Sequence, residues 1–284
     1  MIDAAVWGGS NIPPAVAAAV AELGGRLEWA LRAGKRRQLA TNVAHAIGRD
    51  HSEPEVRRLV RQVFVHEAHR SADLLWALGK PHEFLASVEL DGVEHAQKAA
   101  SDGRGVILAG VHLGGWELAT VIPQAVLPIA TTALVADDWL AWAIQHMRAA
   151  AGLRVVYRTD PVSRLGHILR EGEALVVLGD DASGTSPRRH RVRLLDTDAD
   201  LPSGVATMAR LYNAPIVDFV VVRLGRRRWR VVIDPPLEPP PLHTRDAGDR
   251  DTLQQLADRW SELIRAHPEQ WSASFPIAWR DDAR

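Results

Sequence analysis

Val106-Ile107-Leu108-Ala109-Gly110-Val111-His112-Leu113-Gly114-Gly115-Trp116-Glu117 is the stretch on which the fold turns. The uninterrupted apolar run from Val106 to Val111 reads as a strand buried on both faces. Working outward, short runs of the same kind recur at Thr132 to Ala136, Arg154 to Tyr157 and Ala174 to Leu178. Segments with helix start and stop signals stand between them. Asp138 caps a run that ends at Gly152, and Asp160-Pro161 opens another that ends at Gly172. Strands alternating with helices predict βαβ units, so the chain reads as α/β, with a central, mostly parallel sheet flanked by helices. Further on, Pro202 to Asn213 and Thr252 to His267 read as helices, and Ile216 to Val222 and Trp229 to Ile233 as strands. Pro235, Pro236, Pro239, Pro240 and Pro241 form an extended connector before the last helix.

Upstream of this core the first hundred residues read as helices. Pro13-Pro14 suits a helix start, and the Ala-rich run that follows continues to Leu31 before Gly34 breaks it. Ser52 with Glu55 reads as a capping box for a helix whose apolar face is Val56, Leu59, Val60, Val63 and Phe64. Arg57, Arg58 and Arg61 lie off that face. No internal repeat and no separating linker is visible, so residues 1–284 are expected to form a single domain, helical over 1–100 and α/β over 101–284.

Composition narrows the function classes. A hydrophobic fraction of 46% over 284 residues supplies a real core, which excludes disorder and fibrous repeats. Cysteine is absent, which removes disulfides, thiolate nucleophiles, Cys-ligated zinc and iron–sulfur clusters together. No run reaches the ~18 apolar residues of a membrane span, the longest near the start being Ala15 to Ala21. No cationic segment followed by an apolar one opens the chain, so a cytoplasmic protein, soluble or at a membrane surface, is expected. The 34 Lys and Arg balance 35 Asp and Glu, and no reader motif accompanies the basic residues, which argues against a nucleic-acid partner. Ten Trp against two Tyr and four Phe point to surfaces that are half apolar and half wet.

In an open α/β sheet, sites form at the carboxyl ends of the strands, and His112 follows the first strand of the core. Within one α-helix, His112 and Glu117 would stand about 140° apart and share no face. Gly114 and Gly115 permit a tight turn instead, so that Glu117 can fold back toward the imidazole. A carboxylate on one ring nitrogen fixes the tautomer and raises the basicity of the other. The bland alternative is that His112 ends a strand and Glu117 complements a helix dipole. Nearby residues offer neither His-Glu-x-x-His nor a Cys pair, so no metal is expected. Gly-x-Ser-x-Gly, Walker A and strand-borne Gly-x-Gly-x-x-Gly motifs are absent too, which leaves direct transfer by a His base.

Five features come in order: His112/Glu117; Arg148 with Gly152; the strand-end acid Asp180; Leu201-Pro202-Ser203-Gly204-Val205-Ala206; and His267-Pro268-Glu269-Gln270-Trp271. In that order they resemble the bacterial lipid A lauroyl/myristoyl acyltransferases and the related phosphatidylinositol mannoside acyltransferases. The resemblance runs from about Lys35, where Arg36 to Asn42 matches an early Arg/Asn segment, to Trp279. It implies transfer of a fatty acyl chain from a thioester of coenzyme A or acyl carrier protein to a glycolipid or lysolipid hydroxyl, at the inner face of the plasma membrane. It makes His112 the general base, Glu117 its orienting partner, and Asp180 a positioning acid for the acceptor or the imidazole. Arg148 is implied to bind phosphate or glycan, and Ser203 and Gly204 to line the substrate site. No cofactor beyond the acyl thioester co-substrate is implied.

The chain also departs from the family pattern. Ala182 stands where a second acid is usual, with Asp181 adjacent as a substitute, and Leu194-Leu195 replaces an aromatic pair. An N-terminal apolar anchor is not seen, which favours the mannoside branch and a peripheral enzyme. Such departures keep open a catalytically silent lipid-binding protein, and hydrolysis of the thioester needs only water as acceptor. Arginines gather at Arg32 to Arg37, Arg57 to Arg70, Arg188 to Arg193 and Arg223 to Arg230, patches suited to anionic lipid or to coenzyme A phosphates. Arg188, Arg189 and Arg191 are expected in a loop beside the site, and Arg57 to Arg70 on a solvated helix face. Trp139, Leu140 and Trp142 read as core or as a membrane-facing or acyl-binding surface.

Overall fold

The computed structural model describes residues 2–118, 122, 126–127, 130–135, 154–157, 160–182 and 188–280. Its helices are α1 (Ile2–Asn11), α2 (Pro14–Leu31), α3 (Ala33–Ile47), α4 (Pro54–Gly79), α5 (Pro81–Ala86), α6 (Val93–Ser101), α7 (Val162–Arg170), α8 (Gly204–Tyr212) and α9 (Arg245–Ala266). Its strands are β1 (Val88–Asp91), β2 (Val106–Gly110), β3 (Thr131–Val135), β4 (Arg154–Tyr157), β5 (Ala174–Leu178), β6 (Arg189–Leu194), β7 (Thr197–Pro202), β8 (Ile216–Gly225), β9 (Arg228–Ile233) and β10 (Ala278–Trp279). Seven strands form one sheet in the order β1-β9-β8-β2-β5-β3-β4, and β10-β7-β6 form a second, antiparallel one. Among the described residues of the large sheet only the β8–β9 pair is antiparallel. The expected α/β architecture, with helices before it in the chain, is what the molecule has.

Strand periodicity divides the core in two. On one face Ile107, Ala109, Leu175 and Val177 join side chains of α7, α8 and α9, among them Trp260. On the other, Val106, Leu108, Ala174 and Val176 join Trp76, Phe84 and the alanines of α6. Successive side chains of a strand point to opposite faces, so a run buried on both sides is apolar at every position. A third cluster lies away from the sheet, where Leu39 and Val43 of α3 meet Val56, Val60 and Val63 of α4.

Several local expectations are corrected. The Ala-rich helix ends at Leu31 as expected, but Arg32 rather than Gly34 interrupts it, and Gly34 lies inside α3. Ser52 does not cap α4. Its hydroxyl and N–H bond Asp50, and Glu53 holds the N-cap position. Arg189 to Arg193 belong to β6 rather than to a loop, Pro202 ends β7, and the last long helix begins seven residues early, at Arg245. Arg57, Arg58 and Arg61 are exposed as expected, but Arg70 at the other end of that cluster is buried. The predicted helix between Asp138 and Gly152, with Trp139, Leu140 and Trp142, lies outside the described residues.

Candidate active site

Strand register brings His112 and Asp180 together. In the parallel β2–β5 pair, Gly110 stands opposite Leu178, so the residues two places beyond, His112 and Asp180, leave the sheet side by side. Adjacent strands are about 4.8 Å apart, within side-chain reach. His112 Nδ1 lies 2.7 Å from Asp180 Oδ1, and the His112 backbone N–H reaches Oδ1 and Oδ2 at 3.2 and 3.1 Å. Trp271 Nε1–H donates to Oδ2 at 3.1 Å. Asp180 is therefore a fully buried carboxylate that accepts from three N–H groups. An ionised carboxylate only accepts, so the Nδ1 proton points at Asp180 and Nε2 carries the lone pair. The imidazole is 17% exposed and lies between Trp116 and Phe275, with ring centroids 4.9 and 4.7 Å away.

The C-terminal segment completes this arrangement. Gln270 brackets Arg223 of β8, accepting its N–H at 2.9 Å and donating to its carbonyl at 3.0 Å. Trp271 follows, wholly buried, and Ser272 N–H bonds the His112 carbonyl at 2.7 Å. Asn42, from the early Arg/Asn segment, donates to the carbonyls of Ala273 and Phe275 at 2.7 and 3.0 Å and accepts Trp279 Nε1–H at 2.9 Å. Two motifs at opposite ends of the chain thus hold Phe275 against the imidazole.

The glycine turn is real, and its two members differ. Gly114 has φ +60°, and a Cβ there would sit 2.0 Å from the Val221 carbonyl oxygen. Gly115 is needed for space, since a Cβ would meet the Trp229 ring at 2.7 Å. Their amides are engaged, Gly114 N–H by the Gln270 carbonyl and Gly115 N–H by that of Val221. Glu117 is turned inward but not onto the imidazole. It makes an ion pair with Arg70 of α4, both nearly buried, and the carboxylate on His112 is Asp180 instead. Arg70 Nη1 also donates to Ser272 Oγ at 2.6 Å, and its guanidinium lies 5.1 Å from the Trp116 ring. Beside it, His66 Nε2 is 3.4 Å from the Gly114 carbonyl, and burial, reinforced by the Arg70 charge, pushes the imidazole down to about 3.

Arg70, His66, Ser272 and Phe275 were missed in the sequence reading. One signal for the first two was present. His66, Glu67, Arg70 and Asp73 continue the helical spacing of Val56, Val60 and Val63, so polar residues occupy the buried face of α4. Such residues need partners inside the protein.

Arg188, exposed, pairs with Asp246 at 3.8 Å, and its carbonyl accepts Ser203 N–H at 3.1 Å. Arg189 donates to the Ala182 carbonyl. Ser203 is buried at the start of α8, and Gly204 opens that helix with free space where a Cβ would go. Asp181 is half-buried next to Asp180. Leu194 and Leu195 are buried at the β6–β7 turn. Arg148 lies outside the described residues. His190, Asp246 and Asp249 bring ligand atoms within 4.8 Å of one another. Asp249, however, is already held by Arg210 at 2.7 and 2.9 Å and by Thr207 at 2.7 Å.

No helix among the described residues is long and apolar enough to cross a membrane. Comparison with curated protein sequences gave no match. Comparison with protein families matches residues 3–273 to the bacterial lipid A biosynthesis acyltransferases. That span takes in His112, Asp180 and the bracing segment as far as Ala273, and the chain belongs to this family of acyltransferases.

Proposed function

We propose that the protein moves a fatty acyl chain from an acyl thioester, on coenzyme A or acyl carrier protein, to a hydroxyl of a glycolipid or lysolipid. His112 is the general base of this reading, and the reaction takes place at the inner face of the plasma membrane. The observation that carries it is the 2.7 Å contact between His112 Nδ1 and a buried Asp180, which turns the basic Nε2 away from the acid. Nε2 takes the acceptor's proton as its oxygen attacks the thioester carbonyl. The tetrahedral intermediate collapses, the C–S bond breaks, and the imidazolium returns the proton to the leaving thiolate. Asp180 stabilises the imidazolium in between, as the acid of a catalytic triad does. Direct transfer forms no acyl-enzyme and asks for no nucleophilic side chain, in keeping with a chain that has no cysteine.

Arg188 and Arg189, with Ser203, Gly204 and Asp181, are assigned to substrate binding, the arginines to donor phosphates. Arg148 is assigned to phosphate or glycan on the acceptor. Glu117, paired with Arg70, shapes the loop that carries His112.

The test is mass spectrometry of products from purified protein, a mixed polar lipid extract, and palmitoyl thioesters of coenzyme A or acyl carrier protein. His112→Ala abolishes the acylated lipid, and Asp180→Asn lowers its rate by about 10²- to 10⁴-fold, the range for a general base and its orienting partner. Wild-type transfer by His112→Ala would remove the proposed base. Free fatty acid as the sole product would make the protein a thioester hydrolase.

A further inference from the structure

Helix α2 is amphipathic in the opposite sense to a helix that packs its large side chains inward. Ala21 and Gly25 are its buried residues, and α4 comes so close that a Cβ on Gly25 would lie 2.6 Å from Val65 Cα. The large aliphatic residues face outward. Val16, Val20, Leu23, Leu27 and Leu31 are 51, 63, 70, 57 and 73% exposed. At 100° per residue they fall within an arc of about 80°, a continuous stripe along the whole helix. In α1, Trp7 adds another large apolar surface, 73% exposed. Isolated exposed leucines need no explanation, but a helix-long row of them does.

Charge behind and beyond the stripe is basic although the molecule is neutral overall. From Gly24 to Arg61 the chain carries nine Lys and Arg against four Asp and Glu. Arg32 and Arg37, just beyond the C-terminal end of α2, are exposed, as are Arg57, Arg58 and Arg61 on α4. Arg36 and Arg61 lie over the Trp29 ring of α2, at 5.4 and 5.8 Å, and Trp29 stands about 160° around the helix from the centre of the stripe, so both guanidinium groups sit behind it.

We propose that α2 docks this protein on an anionic phospholipid surface, the apolar stripe entering the acyl boundary and the arginines behind it, on the polar side of the helix, meeting the headgroups. A single-helix stripe backed by arginine suits a lipid interface. It is narrow for a stable protein dimer, which needs about 800 Å² per partner. Helix α4, which α2 packs against, carries Arg70 to the Glu117 loop. The docking face therefore stands one helix, about 8–10 Å between axes, from the element that braces the catalytic histidine. The inference rests on the reading of the protein as an enzyme of the membrane surface, and adds the face that makes contact.

The test is flotation of the full chain with vesicles of phosphatidylcholine alone or with phosphatidylglycerol. Wild type floats with the anionic vesicles and is released by salt. Leu23→Ser/Leu27→Ser/Leu31→Ser, which leaves the Ala21–Gly25 contact intact, lowers the partition coefficient at least about tenfold. Its far-UV circular dichroism and its turnover of detergent-dispersed substrate stay unchanged. Equal flotation of the variant overturns the proposal, as does binding indifferent to lipid charge and salt. A wild-type dimer that the substitutions make monomeric, seen by sedimentation without vesicles, would assign the stripe to a second copy and overturn it as well. Flotation needs no turnover, so wild-type vesicle binding with no acyl transfer would count against the reaction alone.

Discussion

Arg70 reaches Glu117 on one side and Ser272 Oγ, at 2.6 Å, on the other, and Ser272 N–H holds the carbonyl of His112. One guanidinium thereby joins the loop that follows His112 to the segment that follows α9. Removing one member of a buried ion pair costs about 3–5 kcal/mol, because it strands the other charge, whereas neutralising both recovers much of the loss. Arg70→Met should lower unfolding free energy in urea by about that amount, and Arg70→Met/Glu117→Gln should regain at least half. Activity should stay depressed in both variants, since neither restores the tether on Ser272. A double variant no more stable than the single one would show that the Glu117 charge is not what the arginine serves. Little of this was legible in sequence. His112 and Glu117 stood out as a pair by spacing, but spacing cannot say that the acid on the imidazole comes from a different strand. Asp180 was visible as a strand-end acid. Its 2.7 Å approach follows from the pairing of β2 with β5, two strands that β3 and β4 separate along the chain.

At the scale of elements, the loop after β2 is shaped as much by its neighbours as by its own residues. Gly114 has positive φ and lies so close to β8 that a methyl group would overlap the Val221 carbonyl. Gly114→Ala therefore combines a strained backbone with overpacking, and should cost about 3 kcal/mol or more in chemical denaturation. It should also slow turnover, because displacing the loop moves His112. An unchanged denaturation midpoint would mean that β8 yields without cost. The buried strands of the large sheet were legible because apolar runs leave few alternatives. The β6–β7 hairpin was not, although Val192 and Leu194 alternate with Arg189, Arg191 and Arg193. Its turn is Leu195-Asp196, at φ +53° and +63°, where Asn-Gly would have announced the same geometry. Edge strand β1, four residues with no buried position, carries too little hydrophobic signal to be read. The outward stripe of α2 was hidden by its propensity: an Ala-rich helix is predicted equally well whichever face is buried.

Across the whole molecule, two buried titratable groups on opposite faces of the sheet set opposing pH dependences. His66 packs near Trp229 on one face, and burial, aided by the Arg70 charge, lowers it to about 3. Between about 3 and 6.5 the native state binds fewer protons here than the unfolded chain, so this contribution to stability is lost as pH falls. Asp218 of β8 faces the other way and accepts Trp260 Nε1–H at 2.8 Å. Burial, with the Asp234 charge nearby, raises it to about 7. Between 3.8 and about 7 the native state keeps a proton that the unfolded chain has lost, so this contribution is lost as pH rises. Over the shared window from about 4 to 6.5 the two slopes oppose each other. Asp218→Asn mimics the protonated acid and should leave the His66 slope uncompensated. Its stability advantage over wild type should grow from pH 4 to pH 7 and then level off, by a total on the order of a few kcal/mol. His66→Gln, which keeps a donor for the Gly114 carbonyl, should do the reverse, with its advantage greatest at low pH. Urea denaturation at half-unit steps from pH 4 to 8 measures both, and curves parallel to wild type would show that neither group titrates as its burial demands. The Asp218 arm reaches the active site as well. Trp260 packs so tightly on Gly179 that a Cβ there would lie 2.4 Å from its ring, and the next residue is Asp180. With Asp180 as the proposed partner of His112, ionisation of Asp218 above about pH 7 is expected to disturb this strand end, and Asp218→Asn should retain activity further into the alkaline range than wild type.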